Sequence, residues 1–167
     1  MIITGRLGNI ILDTNIVSPI LDNKPLHEWL VRVMKESSLA VFQYNVMEHL
    51  TSRKVGTRMS YKDILRSLEA RNITVLNGPF ASSESSNLSF EILQMAHQAR
   101  FTMPDSAKRF EDALSKAQQR MACEAHVNQY SFLTADKEFY NFFKAILNEK
   151  NITVYSAEED DLKGPGV

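Results

Sequence analysis

The sequence predicts an α/β protein, a three-layer α/β/α domain around a central, mostly parallel five-stranded sheet. Three observations predict it. Short apolar runs recur along the 167 residues, and amphipathic stretches of helical period separate them. Runs such as Ile10-Ile11-Leu12 and Leu39-Ala40-Val41-Phe42 lack polar alternation, as strands covered on both faces do.

The first run, stopped by Asp13-Thr14-Asn15, reads as a buried strand that ends in a helix cap and delivers Asp13 to its carboxyl end. Pro25 opens a helix in which Leu26, Trp29, Leu30, Val33 and Met34 share one face, and Glu36-Ser37-Ser38 breaks it. Leu39 to Phe42 is the second strand. Asn45 is the expected cap of the following helix, which places Glu48 in its first turn beside the end of strand two. Ser60 to Arg71 is helical, with Tyr61, Ile64, Leu65 and Leu68 on one side, and Ile73 to Leu76 is the third strand, closed by Asn77-Gly78-Pro79.

The serine-rich stretch from Ala81 to Ser89 reads as a loop and cap at the solvated surface, with Phe90, Leu93, Met95 and Ala96 in the helix after it. Pro104-Asp105-Ser106 starts a long helix reaching about His126. Tyr130 to Thr134 is the fourth strand and leads to Asp136. Phe139, Phe142, Phe143, Ile146 and Leu147 then recur at helical spacing, and Ile152 to Tyr155 is the fifth strand. Residues 1–157 are expected to form one domain and residues 158–167 an acidic, frayed tail.

Composition narrows the function. A hydrophobic fraction of 44 % supports one well-packed core, and a net charge of -1 excludes a generally basic nucleic-acid coat. No run is long and apolar enough for a membrane span, and Gly5, Arg6, Gly8 and Asn9 interrupt any signal-peptide core, so a cytoplasmic protein is expected. Cys123, alone in the chain, is expected to be a reduced, packed thiol. His27, His49, His97 and His126 lack ligand spacing, and no glycine-rich phosphate loop is present, so neither zinc nor a nucleotide cofactor is expected.

The acids carry the chemistry. Asp13, Glu48 and Asp136 each fall where a strand ends or the next helix begins, the edge at which open parallel sheets bind ligands. A fourth carboxylate should come from the helix before strand four, which runs back toward that strand's start. From Asp112 to His126 the rise is about 21 Å at about 1.5 Å per residue. From Ser131 to Asp136 it is about 17 Å at about 3.3 Å per residue. The two lengths match. Asp105 lies about 10 Å further up, and Glu111 is turned about 100° from Asp112, so Asp112 is preferred and Asp105 is read as a helix cap. Four converging carboxylates repel one another unless a divalent cation neutralises them, and hard oxygen ligands select Mg2+ or Mn2+.

These residues resemble the PIN-domain family of metal-dependent ribonucleases, which includes the toxin half of bacterial VapBC-type toxin-antitoxin pairs. The resemblance runs from Ile10 to about Tyr155, through Leu12-Asp13-Thr14-Asn15, Val46-Met47-Glu48, Asp112-Ala113-Leu114 and Leu133-Thr134-Ala135-Asp136-Lys137-Glu138-Phe139. It implies a PIN-like fold and a Mg2+- or Mn2+-dependent endoribonuclease. Asp13, Glu48, Asp112 and Asp136 would be the metal-site acids, with Asn15 and Thr134 as polar support. RNA would be the substrate, an antitoxin protein a possible partner, and a homodimer the expected assembly. One departure stands out: Ser115 and Lys116 follow Asp112 where the family continues with small apolar residues, and the spacing to Asp136 is longer than usual. Lys54, Arg58, Lys108, Arg109, Lys116 and Lys137 are the cations available to track an RNA backbone.

Taken singly, each motif has a plainer reading, because Asp-Thr-Asn after a strand is most often a cap and Thr-Ala-Asp often a turn. Their order at matching ends of matching elements favours a nuclease. A PIN-like scaffold or RNA-binding module without turnover is the alternative. A phosphohydrolase of the haloacid-dehalogenase kind is less favoured, since its chemistry usually shows a second Asp where Asn15 stands.

Overall fold

The architecture is that of a computed structural model, which describes residues 8–22, 28–51, 60–79, 82–100 and 117–157. Along the chain come β1 (Asn9–Leu12), α1 (Thr14–Leu21), α2 (Glu28–Glu36), β2 (Ser38–Phe42), α3 (Gln43–Thr51), α4 (Tyr61–Ala70), β3 (Ile73–Leu76), α5 (Ser83–Arg100), α6 (Gln118–Val127), β4 (Ser131–Thr134), α7 (Lys137–Glu149) and β5 (Val154–Ser156). The strands form one sheet in the order β3-β2-β1-β4-β5, and every neighbouring pair is parallel. The chain therefore winds outward from β1 to β3, then returns to lay β4 on the other side of β1. The order reverses between β1 and β4, and such a reversal opens a crevice beyond the strands' carboxyl ends.

Alternation along β1 assigns the two helical layers, since successive strand side chains point to opposite faces. Ile10 and Leu12 enter one core with Ile16, Val17 and Ile20 of α1, Leu30 and Val33 of α2, Val46 of α3, and Ile64 and Leu68 of α4. Ile11 enters the other with Ile92 and Ala96 of α5, Met121 and Cys123 of α6, and Phe139, Phe143 and Leu147 of α7. Both faces of the sheet are covered, which is why its strands show no polar alternation. The result is the three-layer α/β/α arrangement that the sequence predicts.

Helices stop where the backbone turns left-handed. Asn72, Gln129 and Asn151 have φ of 56°, 65° and 60° and lie just past α4, α6 and α7, so each of these helices gives way to a strand within a few residues. Asparagine tolerates this region better than most side chains. After Asn151, Ile152 is buried in the second core before pairing begins, and β5 starts at Val154, two residues later than expected.

Two further readings are corrected. Residues 83–89 of the serine-rich stretch are the amino-terminal part of α5, and Ser85 and Ser89 are buried. Ser82 Oγ accepts from Ser85 N at 3.1 Å, as a helix cap does, and donates to Glu124 Oε2 of α6 at 3.2 Å. Ser89 Oγ donates to Gln119 Oε1 at 2.8 Å, and an Arg120–Ser86 side-chain bond adds to the row. Small hydroxyl side chains thus let α5 and α6 meet through polar bonds. Phe90, in contrast, is 62 % exposed. The carboxyl-terminal part of the long expected helix is α6; its earlier part and the acidic tail lie outside the described residues.

Candidate functional site

The carboxyl ends of β1 and β4 are joined by a polar network centred on Asp13. Its backbone N donates to Leu133 O at 2.9 Å, which holds Asp13 against β4 just beyond the Leu12–Leu133 register pair. Asp13 has extended backbone (φ -71°, ψ 160°) and caps α1, with Oδ1 accepting from Thr14 N at 2.8 Å. Its other oxygen, Oδ2, accepts from Thr134 Oγ1 at 2.7 Å. Thr134 Oγ1 in turn accepts from Asp136 N at 3.0 Å. One buried hydroxyl therefore ties the first acid to the backbone of the last.

Asn15 closes the ring. Its Oδ1 accepts from Ala135 N at 3.0 Å, and its Nδ2 donates to Asp13 Oδ2 and Thr134 Oγ1, each at 3.4 Å. Asp136 caps α7, with Oδ1 accepting from Phe139 N at 3.0 Å, while Oδ2 accepts from Gln118 Nε2 at 3.0 Å. Asp13, Asn15, Thr134 and Asp136, four residues singled out in the sequence, are brought together at the crevice where the strand order reverses.

Glu48 is placed differently from expectation. Helix α3 begins at Gln43, directly after β2, so Glu48 lies in its second turn. Asn45 is inside the helix instead of capping it: its Oδ1 accepts from Phe42 N at 3.2 Å and its Nδ2 donates to Thr14 Oγ1 at 3.0 Å. Asn45 thus fastens the start of α3 to the start of α1, on the same sheet edge as Asp13. Glu48 is exposed and accepts from Tyr44 OH at 3.3 Å. Burial, then the charge of Glu48, raises the Tyr44 hydroxyl's pKa above its ordinary value.

Electrostatics link the acids. Asp13 is 2 % exposed, and its pKa is pushed up from 3.8 to about 6. Burial is the main cause; the bonds from Thr134 and Thr14 oppose it, the Glu48 charge adds to it, and the Gln118 amide opposes it. Its donors are all neutral, so this buried carboxylate, with the Glu48 charge acting on it, is short of positive charge. Among the described residues, no three His, Cys, Asp or Glu side chains are drawn together closely enough to form a metal group. Asp112, Asp105 and Glu111 lie outside the described residues, as do Lys54, Arg58, Lys108, Arg109 and Lys116. Lys137 is the exposed first residue of α7, next to Asp136.

Three residues of this edge escape the sequence reading: Tyr44, Asn45 as a tether, and Gln118. A helix register beginning at Gln43 would have put Tyr44 and Glu48 four apart on one face. Gln118 carries no motif signal, because a neutral amide in a helix reads as surface. The donors available are all oxygens, from Asp13, Glu48 and Asp136, and they suit a hard divalent ion better than zinc. A concavity of about 380 Å³ flanks β3 and is lined by Leu65, Glu69, Asn72 and Ile73, none of them a site acid.

No family profile matches the chain, and no curated protein sequence is significantly similar to it. Among solved structures, the chain is similar to a chain of VapBC-1 from nontypeable Haemophilus influenzae, at 12 % identity over 89 % of this chain and 97 % of that one, with a TM-score of 0.49. It is also similar to a chain of FitAB bound to an IR36 DNA fragment, at 15 % identity over 88 % of this chain and 94 % of that one, with a TM-score of 0.50. The FitAB likeness bears on the fold alone, and it agrees with the three-layer α/β/α architecture. No helix among the described residues is long and apolar enough to cross a membrane.

Proposed function

We propose that this protein is a metal-dependent endoribonuclease of PIN-like fold, acting as the toxin of a VapBC-type pair. The observation that carries the proposal is the Asp13–Thr134–Asp136 network, which sets two carboxylates from adjacent strands at the crevice where such sheets bind ligands. Asp13, Glu48 and Asp136 would hold Mg2+ or Mn2+, with Asp112 as the fourth carboxylate on the strength of the sequence. When bound, such an ion lowers the pKa of a coordinated water and offsets charge developing on a phosphodiester.

The chain's own residues do the positioning. Thr134 and Asn15 fix the orientation of the Asp13 carboxylate, and the α7 cap fixes Asp136. The buried setting of Asp13 strengthens any interaction with a cation, because few waters compete there. Lys137 lies beside Asp136, where a phosphate oxygen of an RNA strand would be attracted. An antitoxin covering this edge would block RNA, and a homodimer is the assembly proposed.

The test is cleavage of a mixed RNA pool with Mn2+ or Mg2+, with and without chelator, by the parent protein and by Asp13→Asn. The parent should cleave only with metal, and Asp13→Asn should lose at least about a hundredfold in rate, on the order of 3 kcal/mol. An Asp13→Asn protein that cleaves as fast as the parent would falsify the proposal. The alternative is a PIN-like RNA-binding or scaffold module without turnover. RNA binding that survives Asp13→Asn with no metal-dependent cleavage by the parent would select it.

A further inference from the structure

Glu48 is exposed, and an exposed glutamate turns freely about its side-chain bonds. Holding it at a cation costs conformational entropy unless another group already restrains it. Among the described residues, Tyr44 supplies the one donor to this carboxylate: its hydroxyl donates to Oε2 at 3.3 Å from one turn earlier on α3, and no donor reaches Oε1. One oxygen is thus engaged and the other is open.

Tyr44 is itself held in place. Its side chain packs against the second core, and its backbone N donates to Gly78 O at 3.4 Å, just past the end of β3. Burial first, then the charge and bond of Glu48 and the charge of Asp13, raise the pKa of its hydroxyl, so the group stays a donor. The Glu48 charge acts in turn on Asp13. A tyrosine four residues before a glutamate is often only a helix-stabilising surface pair. Here the ring is anchored, and its hydroxyl lies where the charges of two site acids are both felt. We propose that Tyr44 is the positioning residue for Glu48, restraining one carboxylate oxygen so that the other is presented to the cation shared with Asp13. The proposal rests on the metal-site reading and adds to it a neutral residue that touches the carboxylate and not the ion.

Calorimetric titration of the full chain with Mn2+ tests it, using the parent, Tyr44→Phe, Glu48→Ala, the double variant and Asp13→Asn, each checked for folding by circular dichroism. Tyr44→Phe keeps the ring and removes only the donor, and should bind Mn2+ more than about twofold more weakly than the parent. In the Glu48→Ala background the same change should alter binding by less than about twofold, because the hydroxyl acts through that carboxylate. A merely structural tyrosine would weaken both backgrounds alike, and that result overturns the proposal. Binding by Tyr44→Phe within about twofold of the parent, while Asp13→Asn loses it, also overturns the role of Tyr44 and leaves the metal reading standing. Equal binding by Asp13→Asn and the parent, or none by the parent, overturns both. Should the Glu48→Ala proteins bind too weakly to titrate, the rise in melting temperature with excess Mn2+ is compared in the same pairs, and a Tyr44→Phe effect of equal size in both backgrounds overturns the proposal.

Discussion

Asp13 combines a structural task with a chemical one, and the two pull against each other. As a cap it stabilises α1 through Thr14 N, but as a buried ion it destabilises the fold, which is what a pKa near 6 expresses. In the unfolded chain the group titrates near 3.8, and in the folded one near 6. The folded state therefore binds the proton more tightly, and the associated stability is fully present below about pH 4 and lost as pH rises through about 6, on the order of 3 kcal/mol in all. Asp13→Asn removes this penalty without a change of shape. It should melt at a higher temperature than the parent in chelator at pH 7.5, with the gap narrowing toward pH 4. Added Mn2+ should raise the melting temperature of the parent and leave Asp13→Asn unmoved. Equal melting curves at both pH values would contradict the electrostatic account. Asp13 and Asp136 were legible in the sequence because each follows an apolar run; Gln118 was not, because nothing in a neutral side chain's spacing announces that it meets a carboxylate.

At the scale of elements, apolar periodicity located the strands to within a residue or two and the buried face of α7 correctly, since Phe139, Phe143, Ile146 and Leu147 all enter the core. Polar contacts were where it failed. Serines in a row suggest a loop, because their hydroxyls compete for backbone bonds, yet the Ser82 cap starts α5 and Ser86 and Ser89 bond to α6. Hydroxyls are small enough for close helix approach and polar enough to satisfy Gln119 and Glu124, a pairing visible only once α6 is in place. Ser89→Ala should lower stability by about 1–3 kcal/mol, because it leaves the buried Gln119 Oε1 without its donor. Ser83→Ala, at an exposed position, should change it by less than about 0.5 kcal/mol. Urea unfolding of both variants checks this, and equal effects would mean that the serine row does not bind α5 to α6. The start of α3 was misjudged for a related reason: Asn45 resembles a cap locally but spends its side chain on Phe42 N and Thr14 Oγ1.

For the molecule as a whole, strand order is the feature that makes the site. Alternating strands and helices imply a parallel sheet, but they do not say which strands are neighbours; the return of β4 to the side of β1 is what brings Asp136 to Asp13 across more than a hundred residues. Glu48 lies on α3, which Asn45 fastens to the same sheet edge, and its carboxylate accepts from Tyr44 OH. The proposed activity requires that carboxylate oxygens of Asp13 and Asp136 share an ion. Anomalous diffraction at the manganese edge from crystals grown with Mn2+ measures that directly. A peak should appear within about 2 to 2.5 Å of carboxylate oxygens of both Asp13 and Asp136. A well-ordered map in which Asp13 still accepts from Thr134 and Asp136 from Gln118, with no manganese between them at saturating concentration, would contradict it.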